Sequence, residues 1–436
     1  MKNVALPIAW PDSRRLAALV QAEPPAFWLD SASAGHPRSR ISILALEPLE
    51  HRACKDFAEF FEFAKEADAQ LSFRGPEEST AEHRRGSLTP LGTTGSIFGG
   101  GWIGRLNYEG RADFFLFDAW LELDHSTQSA TVHSQDPRKA DRLVRRLSAA
   151  APSLSAWQAG PIRPDISRAE YLDQVRDIQE RLRRGDCYQV NLSQGFASAG
   201  RGDAADLYLR LRQAAPAPQM AYVNLGEEQI FSASPEILLE SVGRGARSYP
   251  IKGTRPRSAD PARDAELAAE LLASPKDAAE LLMIVDLVRN DLGAVSRTGS
   301  VSVPELRRLE SLPQVHHLYA VVESELAAGI GPLQALHRLS PGGSITGAPK
   351  LKAIEVIAEL ERGPRGIYTG SIGYAGFSGR SGFNIAIRTA TLKGGDLEYR
   401  AGGGIVVDSE PEAEYRECLD KARGFFAALG TVPEGD

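Results

Sequence analysis

Three strand-like runs follow one another towards the C-terminal end: Gly366 to Ala375, Phe383 to Leu392 and Leu397 to Val407. Only a few residues separate each from the next. A parallel neighbour needs a crossover of about a dozen residues or more, so runs this close are expected to pair antiparallel. The middle run alternates Phe383, Ile385 and Ile387 against Asn384, Ala386 and Arg388, the period of a strand with two unlike faces. Helical patterns lie around these runs. Ser167-Arg168-Ala169-Glu170 is a capping box, and Leu172, Val175, Ile178 and Leu182 then keep one helical face until Gly185. Ser274 and Pro275 suit the cap and first residue of a helix to about Asn290. Pro349 suits the first turn of another through Leu360, and Pro411 opens a last one. Further strands are expected at Tyr188–Leu192 and Gln229–Ser232. Short links between strands, with helices set apart, predict an α+β fold: antiparallel sheets with helices packed outside.

The remainder of the chain is less patterned. Residues 1–150 give short apolar stretches such as Ile41 to Leu46 between turn-like segments, and Arg74 to Thr94 is expected to be an exposed loop. Gly99-Gly100-Gly101-Trp102-Ile103-Gly104 has the spacing GxGxxG. The residues after it alternate like a strand, whereas a dinucleotide turn must open a helix, so a nucleotide site is rejected. Ala149 to Pro164, with Pro152, Pro161 and Pro164, is expected to link an N-terminal part (1–150) to a second part (165–430).

Hydrophobic residues make up 42% of the 436 and charged residues 25%, enough apolar matter for a substantial core. A net charge of −7 argues against nonspecific nucleic-acid binding. Cys54, Cys187 and Cys418 are far apart, which fits reduced thiols and no structural zinc. No run approaches the ~20 apolar residues of a membrane helix, and Met1 to Trp10 lacks a signal-peptide core. A cytoplasmic protein with neither membrane nor nucleic-acid partner is expected.

Four groups of residues could carry chemistry. Asp277 and Glu280 share a face of the helix from Pro275, either complementing its dipole in water or offering ligands. Glu414, Glu417 and Lys421 share a face of the last helix. Two such faces across a cleft would suit Mg²⁺, which takes one or two carboxylates and keeps its other positions for water and an anion. Gly342 to Pro349 and Gly402-Gly403-Gly404 either make turns or let backbone N–H groups approach a ligand. Lys252, within Tyr249 to Arg257, is either an edge-strand lysine in water or a nucleophile with a depressed pKa.

Together these segments resemble the chorismate-utilising enzymes, the family of the large subunits of anthranilate and aminodeoxychorismate synthases and of isochorismate and salicylate synthases. The resemblance rests on an ordered set: Ser234-Pro235-Glu236, Pro250 to Arg257, Asp286 to Leu292, Gly347-Ala348-Pro349-Lys350, Tyr368-Thr369-Gly370, and Ala401 to Lys421. It spans roughly residues 165–425 strongly and the N-terminal part weakly. It implies one large two-sheet antiparallel β-sandwich, to which residues 1–150 contribute strands. It implies Mg²⁺ on Glu280 and Glu417, with Asp277 and Glu414 reaching it through water. Ser344, Gly402, Gly404 and Lys421 match positions that hold the ring carboxylate of chorismate, and Tyr368 and Arg388 those that hold the enolpyruvyl carboxylate. Thr254 joins them as a substrate-binding position. His317 matches a histidine near the departing 4-hydroxyl, and Glu236 the acid that protonates it.

Lys252 bears on the branch of the family. Anthranilate synthases resemble this stretch but carry alanine there, whereas Pro250-Ile251-Lys252-Gly253-Thr254 is similar to the aminodeoxychorismate-forming branch. The resemblance then implies a covalent Lys252 intermediate, ammonia from a glutaminase on a separate chain, and a product that keeps its enolpyruvyl group. The water-activating lysine of isochorismate and salicylate synthases is matched by Gln189. Leu29-Asp30-Ser31 loosely resembles an effector-sensing segment of anthranilate synthases. Anthranilate formation is the alternative activity, and a non-catalytic chorismate-binding subunit the alternative class.

Overall fold

The structure is a computed structural model that describes residues 4–33, 38, 40–74, 96–312 and 315–433. Arg74 ends the helix Phe57–Arg74 and does not open the expected loop, whose remainder, 75–94, lies outside the described residues. Among the described residues the strands form two sheets, of thirteen and ten strands, and every strand pair within them is antiparallel. The larger sheet runs through Ala26–Asp30, Gln219–Asn224, Glu228–Ser234, Thr389–Lys393, Asp396–Ile405 and Gln189–Arg201. The smaller runs from Ile251–Pro256 and Val315–Glu325 through Ile237–Val242, Arg380–Asn384 and Ser371–Gly376 to Gly101–Leu106. N-terminal strands enter both: Ala26–Asp30 pairs with Gln219–Asn224, and Gly101–Leu106 with Ser371–Gly376.

Side-chain alternation explains the layering. Phe27, Ile43 and Val223 of the larger sheet meet Ile103, Phe115 and Phe117 of the smaller in one apolar core. Their strand neighbours point the other way. Trp28, Leu44 and Tyr222 join helices such as Ser13–Ala22 and Ala204–Ala214, and Trp102 and Phe114 join Phe57–Arg74. The result is a two-sheet sandwich with helices outside. Strands covered on both faces lose the polar–apolar alternation that would mark them in sequence.

The capping box at Ser167 and Glu170 forms as expected, and Gly185 ends the helix Arg168–Arg184 in the left-handed conformation. Ser274 caps the helix Pro275–Gly293 by accepting from the Asp277 N–H. Three expectations need correction. The run 366–375 is a strand only from Ser371, the residues before it being turns. The run 383–392 is two strands in different sheets: Arg380–Asn384 lies in the smaller and Thr389–Lys393 in the larger. Ile385 to Arg388 carry the chain across, with Arg388 at φ +51°. Continuous alternation hid the break because both halves keep period 2. Residues 149–164 are not a free linker either. Trp157 and Ile162 are buried, and Gln158–Ala159 and Arg163–Pro164 both pair with Gln189–Arg201.

Candidate active site

The chain also crosses between the sheets at Ser234-Pro235-Glu236, from Glu228–Ser234 to Ile237–Val242. The two crossings lie side by side. Ile385 N–H donates to the Glu236 carbonyl at 3.0 Å, Ala233 N–H to the Arg388 carbonyl at 2.9 Å, and the Ser234 hydroxyl to the Ile385 carbonyl at 2.6 Å. Pro235, with no N–H to donate, suits a point where the ladder stops. Both crossings thus bring a charged side chain, Glu236 and Arg388, to the gap between the sheets.

Lys252 lies on the edge strand Ile251–Pro256, where the register against Val315–Glu325 shifts between Lys252 and Thr254. Gly253 is the extra residue, at φ +75°, a bulge of the kind that re-aims a side chain. Lys252 does not simply point to water. Its Nζ lies 3.3 Å from where a Cβ on Gly404 would stand, and Gln189 Nε2 lies 2.7 Å from the same point. Glycine at 404 therefore gives this space to the amine and the amide. A Cβ on Gly403 would stand 3.3–3.5 Å from Glu414 Oε2, Lys421 Nζ and Glu417 Oε1. The strand Asp396–Ile405 thus meets Lys252 and the acidic face of Pro411–Leu429 at consecutive residues.

The charges act on one another. Burial, then Lys421, pulls the Lys252 pKa below that of a free lysine, while Glu280, Glu417 and Glu236 oppose the shift. One carboxylate from each expected helix, Glu280 and Glu417, therefore lies within electrostatic reach of this amine. Burial pushes Glu236 up to about 7, against the Ser344 hydroxyl donating to its Oε1 at 3.0 Å and against Lys252. Lys421 bonds the Gly402 carbonyl at 2.9 Å and Glu417 at 2.7 Å, and this cation holds Glu417 below the usual carboxylate range. Burial raises Glu414, which accepts from the Ser409 hydroxyl at 2.6 Å. Asp277 pairs with Arg255 at 3.0 Å, and Glu280 stands 3.8 Å from Lys276.

On the other side, the exposed Thr254 places its hydroxyl 3.0 Å from His317 Nδ1. Burial and the nearby Arg388 push His317 down to about 3, so the ring is neutral, and its Nε2 has no partner among the described residues. Arg388 makes no ion pair among the described residues, and burial lowers its pKa. Tyr368 is buried, and burial raises its phenol. A half-buried guanidinium with no ion-pair partner among the described residues is suited to an anion, which it can bind bidentately.

Among the described residues no three histidine, cysteine or acidic groups converge as a ready metal cluster. Glu280 and Glu417, one from each helix and both acting on Lys252, make the smaller donor set that Mg²⁺ uses with water and an anionic ligand. The residues fit that ion.

Sequence reading gave no site role to Asn191 or Arg365. Asn191 is buried, its Nδ2 lacks a partner, and it lies opposite Gly404 in the sheet register. Its only sequence signal was its place on the polar side of the strand from Tyr188. Arg365, between Pro364 and Gly366, carried none.

Residues 24–427 match the family model described as chorismate binding enzyme. The chain belongs to the chorismate binding enzyme family. Among curated members it is 36% identical over 436 residues to aminodeoxychorismate synthase component 1 of Escherichia coli, covering 93% of each chain. It is 44% identical over 320 residues to the component of that name from Klebsiella aerogenes, covering 72% of this chain and 70% of that one. Anthranilate synthase component 1 of Streptomyces coelicolor is 41% identical over 289 residues, 65% of this chain and 56% of that one. The solved structure of anthranilate synthase component I from Streptococcus pneumoniae superimposes with a TM-score of 0.73 at 29% identity, covering 88% of this chain and 92% of that one. The chain is thus a chorismate-utilising enzyme on the expected fold. Three further expectations now have a setting. Cys54, Cys187 and Cys418 are buried and unpaired. No described helix is long and apolar enough to cross a membrane. Asp30, of the segment likened to an effector sensor, is taken up by Arg212 at 2.6 Å and Tyr208 at 3.0 Å.

Proposed function

We propose that this enzyme converts chorismate and ammonia to 4-amino-4-deoxychorismate, with Lys252 as a covalent nucleophile. The observation that carries this reading is Lys252 itself. It is an amine with a depressed pKa and, among the described residues, no ion pair, within electrostatic reach of an acid, Glu236, whose pKa is raised to about 7. A nucleophile must be neutral and a general acid protonated, and each shift favours the form required.

In the first step the neutral Nζ of Lys252 bonds to C2 of chorismate, the ring double bonds shift, and the C4–O bond breaks. Glu236 gives its proton to the departing hydroxyl, which leaves as water. In the second step ammonia bonds to C4, the double bonds shift back and the C2–Nζ bond breaks. Lys252 leaves as a neutral amine, and Glu236 takes a proton from the new ammonium. Nitrogen thus arrives at C4 because Lys252 occupied C2 first. Arg388 and Tyr368 would hold the enolpyruvyl carboxylate, and Ser344, Lys421 and the Gly402 and Gly404 backbone the ring carboxylate. Thr254 orients His317 near the leaving hydroxyl. Glu280 and Glu417 would hold Mg²⁺, with Asp277 and Glu414 through water, and the ion would supply positive charge to the ring carboxylate. Gln189 cannot act as a base on water, which disfavours direct hydration.

Relatives named as component 1 support a second chain, and a glutaminase supplying ammonia fits this chemistry. The test is to incubate the protein with chorismate, Mg²⁺ and ammonium and separate the products. Aminodeoxychorismate supports the proposal. Anthranilate would move the enzyme to the other branch, and uptake of chorismate without product would make it a binding subunit.

A further inference from the structure

We propose that Arg365, clamped by Glu361, is a positioning residue that sets the geometry of three substrate-facing segments and acts on the reaction through Tyr368. This inference rests on the chorismate site assigned above. The Arg365 and Glu361 side chains are 1% and 2% exposed. All five guanidinium N–H groups are used. Nε donates to Glu361 Oε2 at 2.8 Å and Nη2 to Glu361 Oε1 at 2.7 Å. The remaining Nη2 proton goes to the Asn191 carbonyl at 2.8 Å, and Nη1 serves the Ile345 carbonyl at 2.9 Å and the Thr369 hydroxyl at 3.3 Å.

Each of those three acceptors adjoins a site residue. Ile345 follows Ser344, the partner of Glu236. Asn191 lies opposite Gly404, two residues after Gln189. Thr369 follows Tyr368, whose ring lies 5.7 Å from the Arg365 guanidinium, and the Tyr108 ring lies 4.8 Å from it. Thr369 is held at φ +61°, where a β-branched residue is strained and persists only if its surroundings fix it. The Arg365 bond and the Thr369 N–H to the Ala386 carbonyl, 2.9 Å, supply that constraint. Glu361 extends the frame by accepting from the Ser193 N–H and hydroxyl, both at 2.8 Å.

A fully buried ion pair is poor value as a stabilising device, since apolar residues of the same volume do as well or better. What the pair provides is a planar fork that fixes directions, which a lysine cannot reproduce. The site needs that, because its groups must meet a rigid ring from several sides and a displacement of about 1 Å costs on the order of 10²-fold in rate.

The experiment compares the wild type with Arg365→Lys for loss of chorismate, kcat and KM separately, alongside thermal unfolding. Arg365→Lys is expected to fold, with kcat down on the order of 10²-fold. Adding Tyr368→Phe should then cost much less than it does in the wild type. A folded Arg365→Lys with wild-type kcat and KM, or full additivity with Tyr368→Phe, overturns the proposal. If Arg365→Lys does not fold, Glu361→Gln takes its place, with the same loss expected and wild-type kinetics overturning it. If neither folds, the pair serves stability alone and the proposal also falls. A wild type that leaves chorismate untouched would refute the assigned chemistry instead, so the two failures are distinct.

Discussion

The Ser344 hydroxyl donates to Glu236 Oε1 at 3.0 Å, a hydrogen bond that, with Lys252 and other cations, steadies the charged form of an acid raised by burial. A hydrogen bond to a charged group contributes about 1.5–3 kcal/mol. Ser344→Ala should therefore raise the Glu236 pKa further, by on the order of one unit. Carbon-13 titration of labelled glutamate in both proteins checks this, and an unmoved or lowered value contradicts it.

The proposed mechanism needs Glu236 and Lys252 to share one proton, carried by Glu236. Below the lower of their two coupled pKa values both are protonated and the amine is inert. Above the higher, neither is, and the acid is spent. The kcat/KM profile should be a bell with one limb near pH 7, since Glu236 sits at about 7. A flat profile between about pH 6 and about pH 9 contradicts the pairing. Glu236→Gln should lower kcat by about 10²–10⁴-fold.

Gly404 leaves room that Lys252 and Gln189 fill. Gly404→Ala places a methyl 2.7 Å from Gln189 Nε2 and 3.3 Å from Lys252 Nζ. Both are ends of flexible side chains, so the fold should survive with little change in unfolding temperature while kcat falls. Unchanged kinetics would show that this space is not used.

Glu280→Gln and Glu417→Gln should each raise the Mg²⁺ needed for half-maximal rate, by about tenfold or more. Asp277→Asn and Glu414→Gln should have smaller effects, since Asp277 also serves Arg255 and Glu414 serves Ser409. Metal titrations of the four variants decide. Equal, unaltered midpoints would remove these helices from the ion.

Helix ends were legible because caps are local: Ser167 with Glu170, Ser274 with Pro275, and Gly185 each declare themselves within four residues. The N-terminal strands were not, because Phe27 and Trp28 feed different cores and neither face reads as polar. Shared helix faces made the carboxylates visible, but their meeting at Lys252 depends on elements far apart in sequence. The crossings at Glu236 and Arg388 were invisible for a related reason, since a strand that changes sheets keeps its alternation. Arg365 escaped because its bonds to the Ile345 and Asn191 carbonyls are tertiary, and its four-residue spacings to Glu361 and Thr369 fall outside any helix.

The most direct measurement is to supply ¹⁵N-ammonium with chorismate and Mg²⁺, and to locate the label in the product by NMR for the wild type and for Lys252→Ala. Label at C4 from the wild type, with Lys252→Ala forming no C4-labelled product above background, is the predicted result. Label at C2 from the wild type, or undiminished C4 labelling by Lys252→Ala, would contradict it.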